Sequence, residues 1–304
     1  MSNLTAIDLS QLDPPDVIHQ IDFETILSDA LNDFYQRIEK VQPNFQRFSE
    51  SDPAMKLAEV FAYREVIIRQ ESNQQAQSVL LAYATKADLD HKAAERNLKR
   101  HLISPATATS EAVWETDPSL RRRVQLAPEG YTTAGSEGSY IFHGLNADAM
   151  VKDIYPFAPV DENGGKGICN IYVLSHDGNG FASEELQQKV DAALNKKLVR
   201  PTTDFVKVFS ASVINYTVEA KLQIEDGPDS SLILETATEK LKKYVQDAHA
   251  FGDGPALSGM MAALHQPGVT KVIMITPTGD IETSTGQVAF CTNVKVTIKG
   301  DDNE

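Results

Sequence analysis

The sequence has few of the features that mark secreted, membrane-spanning or metal-binding proteins. Its two cysteines, Cys169 and Cys291, lie far apart without metal-ligand spacing, so we expect buried free thiols. The seven histidines form no HExxH or HxxxH pair. No stretch has the roughly 18 apolar residues of a membrane span, and the first residues lack the basic and apolar runs of a signal peptide. These absences predict a soluble, unsecreted protein without a metal or cofactor.

Positive charge is also scarce. The chain of 304 residues has 43 acidic and 28 basic side chains, a net charge of -15. Nucleic-acid binding requires clustered positive charge, so we expect no nucleic-acid partner. The one basic run is Arg121-Arg122-Arg123, on a predicted helix that turns these residues about 100° apart. Two interpretations stay open: a solvated face, or one or two arginines that clamp a carboxylate across a domain or subunit boundary.

Sequence motifs of catalysis and nucleotide binding are missing as well. There is no GxGxxG, GKS, GKT or GxSxG element. Acidic pairs such as Glu184 and Glu185 fall in predicted first turns of helices, where carboxylates usually cap the helix or face water. The loop SHDGNGF at 175–181 resembles the start of a calcium loop but lacks the closing glutamate. We therefore expect no catalytic residue, metal ligand or cofactor-binding residue.

The first hundred residues are predicted to be mostly helical. Ile26, Ala30, Phe34 and Ile38 recur four apart, which predicts an amphipathic helix that ends before Pro43.

A second helix is predicted from Asp52-Pro53 through Tyr83, because proline is well tolerated in the first turn and neither glycine nor proline follows. Its length would be roughly 45 Å at 1.5 Å per residue. Thr85 and Asp88 match a capping box that begins a third helix.

The rest of the sequence predicts an α+β fold, with an N-terminal helical region that contains a long helix and two small domains of sheets and helices. The predicted divisions are a helical region at 1–100, a linker with a short helix at 101–135, and α+β domains at 136–204 and 205–304. The stretch at 104–115 is expected to be an extended linker that carries Trp114, the only tryptophan.

Periodicity supports both α+β domains. Helix starts are predicted at Asp117, Ser136 and Ser183, and strands at 151–157 and 168–174. The inward face of the Ser183 helix is expected to consist of Leu186, Val190, Ala193, Leu194 and Leu198. In YTVEAKLQIE, at 216–225, apolar and polar residues alternate, which predicts a strand buried on one side.

The predicted second helix contains a stretch that is polar on every side. The run RQESNQQAQ, at 69–77, lies between the apolar flanks 57–68 and 78–84. Nearly two turns are polar all round, so one core cannot hold that section. Either the two ends of the helix dock in different apolar environments, with partner chains as the source, or the helix is exposed in a monomer.

Several segments resemble a known family when taken together and in order. They are LAEVFAYREVIIRQESNQQAQSVLLAYATKADLDHKAAERN at 57–97, ETDPSLRRRVQLAPEGYTTAGSEGSYIFHGL at 115–145, RPTTDFVKV at 200–208 and ALHQPGVTKV at 263–272. Between about residue 20 and residue 275 the chain resembles the baseplate J-like proteins of contractile-tailed phages and related injection machines. DHKAAERN and SHDGNGF depart from the common family pattern, and the segments 1–20 and 280–304 lie outside the resemblance.

The resemblance implies a structural role in the baseplate of the virion tail, after assembly in the host cytoplasm. In such machines a second copy of the chain and a tail protein I-like chain complete a wedge heterotrimer. The N-terminal helices join a shared bundle, and the C-terminal α+β domains link neighbouring wedges into a ring around the hub. A lysozyme-like sheath-initiator protein, called W in one phage lineage, is a further expected partner. Neither nucleic acid nor a membrane is expected.

The helix pattern and the implied bundle together predict interface residues. Apolar contacts at the ends of the long helix are expected from Leu57, Phe61, Ile68, Val79 and Tyr83. Arg64 and Arg69 are expected to donate ion pairs there, and Arg121 and Arg122 are the candidates for the carboxylate clamp.

Two functions from other classes remain alternatives. A tail-associated cell-wall hydrolase would need a cleft with a general acid and a base or nucleophile. An assembly chaperone would leave before the particle matures.

Overall fold

The computed structural model describes residues 21–159, 167–224 and 230–299, together with Leu9, Leu12, Pro15 and Ile18. In these residues the chain forms eight α-helices, one short 3-10 helix and eight strands, an α+β fold as predicted. The described residues belong to two compact units, a helical unit with 21–100 and 116–124, and a mixed unit with 101–115 and the residues from 125 onward. No helix in the described part is long and apolar enough to cross a membrane.

The helical unit begins with α1 (Phe23–Val41), which packs against α2 (Pro53–Ser78). The predicted inward stripe on α1 is only partly right. Ile26 is buried, but its neighbour Leu27 is buried beside it, whereas Ala30 and Phe34 are exposed. A helix turns once in 3.6 residues, so a strict four-residue spacing drifts about 40° at each step and leaves the packed face.

The long helix ends at Ser78, five residues before the predicted end at Tyr83, and is about 39 Å long at 1.5 Å per residue. Residues 79–84 form turns instead, with Leu80 N–H donating to the Gln77 carbonyl at 3.0 Å. No glycine or proline marks this end.

The third helix, α3 (Lys86–Ala94), begins after Thr85 as predicted, but the capping box does not form. The Thr85 side chain makes no capping bond, and the Lys86 N–H donates to the Asp117 carboxylate at 3.0 Å. Arg100 pairs with both Asp117 and Asp90 at 2.8 Å. The start of α3 is therefore capped from a distant part of the sequence.

The predicted linker at 101–135 is partly ordered into regular structure. Its first part contains a short hairpin, β1 (Leu102–Ser104) and β2 (Val113–Trp114), in which Leu102 lies opposite Trp114. The predicted short helix is α4 (Asp117–Leu126), and a 3-10 helix at Ala127–Tyr131 follows it directly.

The first sheet has the strand order β3-β4-β5. Its strands are β3 (Val151–Phe157), β4 (Ile168–Ser175) and β5 (Phe205–Ser210), with β3 antiparallel and β5 parallel to β4. The helices α5 (Glu137–Leu145) and α6 (Glu184–Leu194) pack on one face. Both predicted caps are confirmed, since Ser136 and Ser183 each accept a backbone N–H through the side-chain oxygen at 3.3 Å.

The strand β5 lies beyond the boundary predicted at 204, yet it belongs to the first sheet. It is reached from β4 through α6, the crossover that a parallel pair needs. Leu198 was expected on the inward face of α6, but α6 ends at Leu194 and Leu198 is 79% exposed.

The second sheet has the order β7-β6-β8. Its strands are β6 (Ser212–Ile224), β7 (Val269–Thr276) and β8 (Gln287–Ile298), and its helices are α7 (Ser230–Asp247) and α8 (Leu257–Leu264). The predicted alternation is confirmed in β6, where Tyr216, Val218, Ala220 and Leu222 are buried. Cys169 in β4 is a buried free thiol, and Cys291 in β8 is free and half-buried.

A single residue, Ala211, separates β5 from β6. Ala211 N–H donates to the Val173 carbonyl at 2.8 Å, and the next N–H, of Ser212, donates to the Gly286 carbonyl at 2.9 Å. The chain therefore passes from one sheet to the next without a linker.

Candidate protein interface

The long helix α2 has one apolar face that the chain covers itself. Ala62 is buried with Ile26 and Leu27 of α1, and Met55, Ala58 and Val66 pack around them. Small residues on this face let the two helices lie close together.

A second apolar face of α2 remains uncovered within the described chain. Leu57 is 56% exposed, Phe61 64% and Ile68 65%, and exposed Arg64 lies between them on the same face. These positions follow the spacing i, i+4, i+7, i+11 of a single helix face. Val60 and Tyr63 are also exposed and widen the stripe on one side.

This stripe fits a partner helix better than open water. Burying one large apolar side chain contributes about 1.5–3 kcal/mol, so several together supply enough free energy to hold a partner. Helix-in-groove and bundle interfaces use this i, i+4, i+7 spacing. Four of the predicted interface residues, Leu57, Phe61, Arg64 and Ile68, thus form one surface, which we call the α2 face.

The polar run begins where the contact with α1 ends. Asp22, Thr25 and Ile26, from the start of α1, line one small cleft with Arg69. The residues of α2 after Arg69 therefore continue beyond the first turn of α1, and Gln70, Glu71, Ser72, Gln74 and Gln75 are exposed. Within the described residues, the change from apolar to polar sequence thus falls at the first turn of α1.

The remaining predicted residues at the end of α2 differ in exposure. Val79 is 61% exposed, whereas Tyr83 is half-buried. Arg69 is half-buried and already pairs with Glu65 one turn earlier, with Nε 2.9 Å from a carboxylate oxygen. Pairs of this kind on a helix surface contribute a few tenths of a kcal/mol to stability.

The arginine run of α4 binds carbonyl groups of the helical unit. Arg121 donates through Nε to the Leu81 carbonyl at 2.8 Å and through a terminal nitrogen to the Ala84 carbonyl at 2.7 Å. Arg123 is buried and donates to the Lys99 carbonyl at 3.2 Å. The solvated-face interpretation is therefore wrong for Arg123. For Arg121 the observed acceptors are backbone carbonyls of its own chain, not a carboxylate.

Arg121 binds the turn that follows α2. Its guanidinium group donates to the Leu81 and Ala84 carbonyls, which lie beyond the helix end at Ser78. Carbonyl acceptors have no signature in the sequence, so this contact could not be predicted from it. Arg122 is half-buried.

A cluster of aromatic residues in the connection between α1 and α2 escaped the sequence analysis. The rings of Phe34 and Phe48 stack at 5.2 Å, and Phe45 meets both edge-on. The Tyr35 hydroxyl accepts the Phe48 N–H at 2.9 Å, and Arg47 lies 5.2 Å from the centre of the Tyr35 ring. This cluster fixes the connection and so the pairing of the two helices.

Side chains that could hold a metal ion do not cluster in the described ranges. No group of three or more histidine, cysteine, aspartate and glutamate side chains lies close enough there to bind one.

Comparison with known proteins identifies relatives along nearly the whole chain. The pattern of the baseplate J-like N-terminal domain matches residues 50–107, which include α2 and α3. The pattern of the baseplate J-like central domain matches residues 132–210 and ends with the last residue of β5. The chain is 40% identical over 303 residues to baseplate protein J of Escherichia phage P2, with 97% of this chain and 99% of that protein covered.

Proposed function

Because the chain belongs to the baseplate J-like family, we propose that it uses the α2 face to join partner chains in the tail baseplate. It is a structural component of a phage tail baseplate and is located in the virion. The observation that carries the proposal is the exposure of Leu57, Phe61 and Ile68 on a helix whose opposite face is already packed.

The partners of the α2 face are a second copy of the chain and a tail protein I-like chain, which together form a wedge. A helix with two apolar faces suits a bundle, because one face binds α1 and the other remains for helices of other chains. Arg64, at the centre of the α2 face, and Arg69, at its side, would pair with carboxylates of these partners.

The mixed unit makes the contacts between wedges. Its two sheets present edge strands, β5 and β3 in one and β7 and β8 in the other, and several exposed apolar side chains. The exposed set includes Phe181, Leu198, Phe205, Phe209 and Leu232. Neighbouring wedges and the lysozyme-like sheath-initiator protein W are the partners for these surfaces. A baseplate that rearranges requires such contacts to be modest in area.

The role of the chain is binding rather than catalysis. A cell-wall hydrolase requires a carboxylate acid and a base or nucleophile in one cleft. The cleft beside Tyr155 and Phe251 contains one carboxylate, Asp253, among hydroxyl and amide groups, and the open cleft on α6 contains two, Glu184 and Asp191, on an exposed helix surface. The peptidoglycan assay below distinguishes the two roles.

Composition of purified tail particles tests this function. We expect quantitative mass spectrometry to find the chain in mature tails at a fixed ratio to the tail protein I-like chain. The purified chain incubated with peptidoglycan should release no soluble fragments, with a known muramidase as the positive control. Absence from mature tails would support an assembly chaperone instead, and fragment release would support a hydrolase.

A further inference from the structure

A buried histidine connects the two sheets of the mixed unit. His249 follows α7 and is 8% exposed. Its Nδ1 lies 3.0 Å from the Lys152 ammonium of β3, and its Nε2 lies 3.1 Å from the Asn179 carbonyl in the loop after β4. The His249 ring, which follows α7 of the second sheet, therefore contacts both β3 and the loop after β4 of the first sheet.

The two contacts fix the protonation of the ring. A carbonyl oxygen only accepts hydrogen bonds, so Nε2 must carry a hydrogen. A charged ammonium only donates, so Nδ1 must be the bare acceptor. Beside a charged Lys152 the ring is thus neutral, with its proton on Nε2.

The imidazole ring of His249 fits beside Gly180 because glycine has no side chain. Gly180 has φ +96°, and a Cβ there would lie 2.9 Å from His249 Nε2. Any larger residue would push the ring off the Asn179 carbonyl. The Phe290 ring of β8 packs edge-on against the imidazole, with the ring centres 5.2 Å apart.

Charged groups around the contact come from several elements. Asp153 of β3 is buried and accepts the Phe251 N–H at 3.3 Å, a second bond between the sheets. Burial lowers the pKa of Lys152, and the nearby carboxylates of Asp153 and of Asp247, at the end of α7, oppose this shift. Burial lowers the pKa of His176, in the loop after β4, and the Lys152 charge lowers it as well.

We propose that His249, Lys152 and Asn179 form a proton-operated latch between the two sheets. With a neutral ring the latch is closed. A proton on Nδ1 removes the acceptor and places two cations 3.0 Å apart in a buried joint, so the latch opens. The movement is expected around Ala211, the single residue between β5 and β6. For a baseplate component, the latch supplies a two-state element that acid biases.

The pH range of opening follows from the burial of the ring. Burial and, to a smaller extent, the nearby Lys152 charge lower the pKa of His249 to about 4, against the opposing effect of the bond to the Asn179 carbonyl. The freed ring in the open state regains its ordinary pKa near 6.5. The closed state is therefore fully stable above that value and loses stability as the pH falls towards 4.

Hydrogen exchange of the full chain tests the latch. After correction for intrinsic rates, we expect the opening equilibrium of peptides covering 149–157 and 246–253 to rise about 20-fold between pH 7 and pH 5. Peptides from the centre of β6 should keep their protection. His249→Gln retains an acceptor and a donor without taking up a proton, so its opening should change by less than about twofold.

Two further variants make the outcome decisive. His176→Gln removes the other histidine that senses Lys152 and should open like the wild type. Lys152→Met removes the like charge and should weaken the pH dependence, which keeps the test valid if His249→Gln does not fold. No rise in opening in the wild type, the same rise in His249→Gln, or loss of β6 protection in parallel would each overturn the latch.

Discussion

Phe61→Asp is expected to abolish co-purification of the chain with the tail protein I-like partner. Phe61 is 64% exposed at the centre of the α2 face, between Leu57 and Arg64. In a formed bundle the substitution removes a large aromatic contact and buries a carboxylate in its place. Interface residues of this kind contribute about 2–4 kcal/mol, so affinity should fall about 30- to 1,000-fold. Co-expression, affinity capture and titration calorimetry measure the loss.

A matched control distinguishes this effect from a general effect of added charge. Phe181→Asp changes a phenylalanine of similar exposure, 60%, in the mixed unit, which does not include α2. It should leave co-purification unchanged. Because Phe61 is exposed in the free chain, neither variant should lower thermal stability by more than about 0.5 kcal/mol. Capture of Phe61→Asp at the wild-type level would count against the bundle role of α2.

Arg121→Ala is expected to lower the free energy of unfolding of the helical unit by about 2–3 kcal/mol, because two hydrogen bonds from a charged donor are lost. The carbonyls of Leu81 and Ala84 would lose their guanidinium donors at the turn after α2. Urea denaturation followed by circular dichroism measures the loss as a shift of the midpoint. The turn also sets the position of Val79, so partner capture should weaken too.

The lysine variant is the control for geometry. Lysine lacks the planar fork of arginine, so Arg121→Lys should bond one carbonyl and recover about half of the lost stability. If Arg121→Ala unfolds within about 0.5 kcal/mol of the wild type, water replaces the guanidinium and the contact does not hold the turn.

Short sequence patterns correctly predicted those helices and strands whose position is set by a few neighbouring residues. The start of α2 at Pro53 and the buried alternation from Tyr216 to Leu222 in β6 are examples. In both, the signal lies in a few consecutive residues, a first-turn proline or a two-residue period. The same holds for the helix caps at Ser136 and Ser183.

Features that depend on residues far apart in the sequence could not be predicted in this way. The turn after α2 is bound by Arg121, about forty residues later in the chain. The place of β5 in the first sheet depends on the crossover through α6, which no local period reports. His249 meets Lys152 across almost one hundred residues, so nothing in its own neighbourhood marks it as a joint between sheets.

Sequence spacing places four of the candidate interface residues on one exposed face of α2, but it does not give the width of that face. The positions 57, 61, 64 and 68 follow from helical spacing, and the resemblance to a bundle-forming family gave a reason for their exposure. Val60 and Tyr63 widen the surface, but they were missed because the spacing rule selects only one line of residues. These assignments stay predictions until a partner is seen on them.

An image of the intact tail, at a resolution that traces side chains, would decide whether the long helix is a bundle element. We expect Leu57, Phe61 and Ile68 to be covered by helices of other chains, with Arg64 beside a partner carboxylate. If these four side chains face solvent in the assembled baseplate, and α2 touches only its own α1, then the proposed role of this helix is wrong.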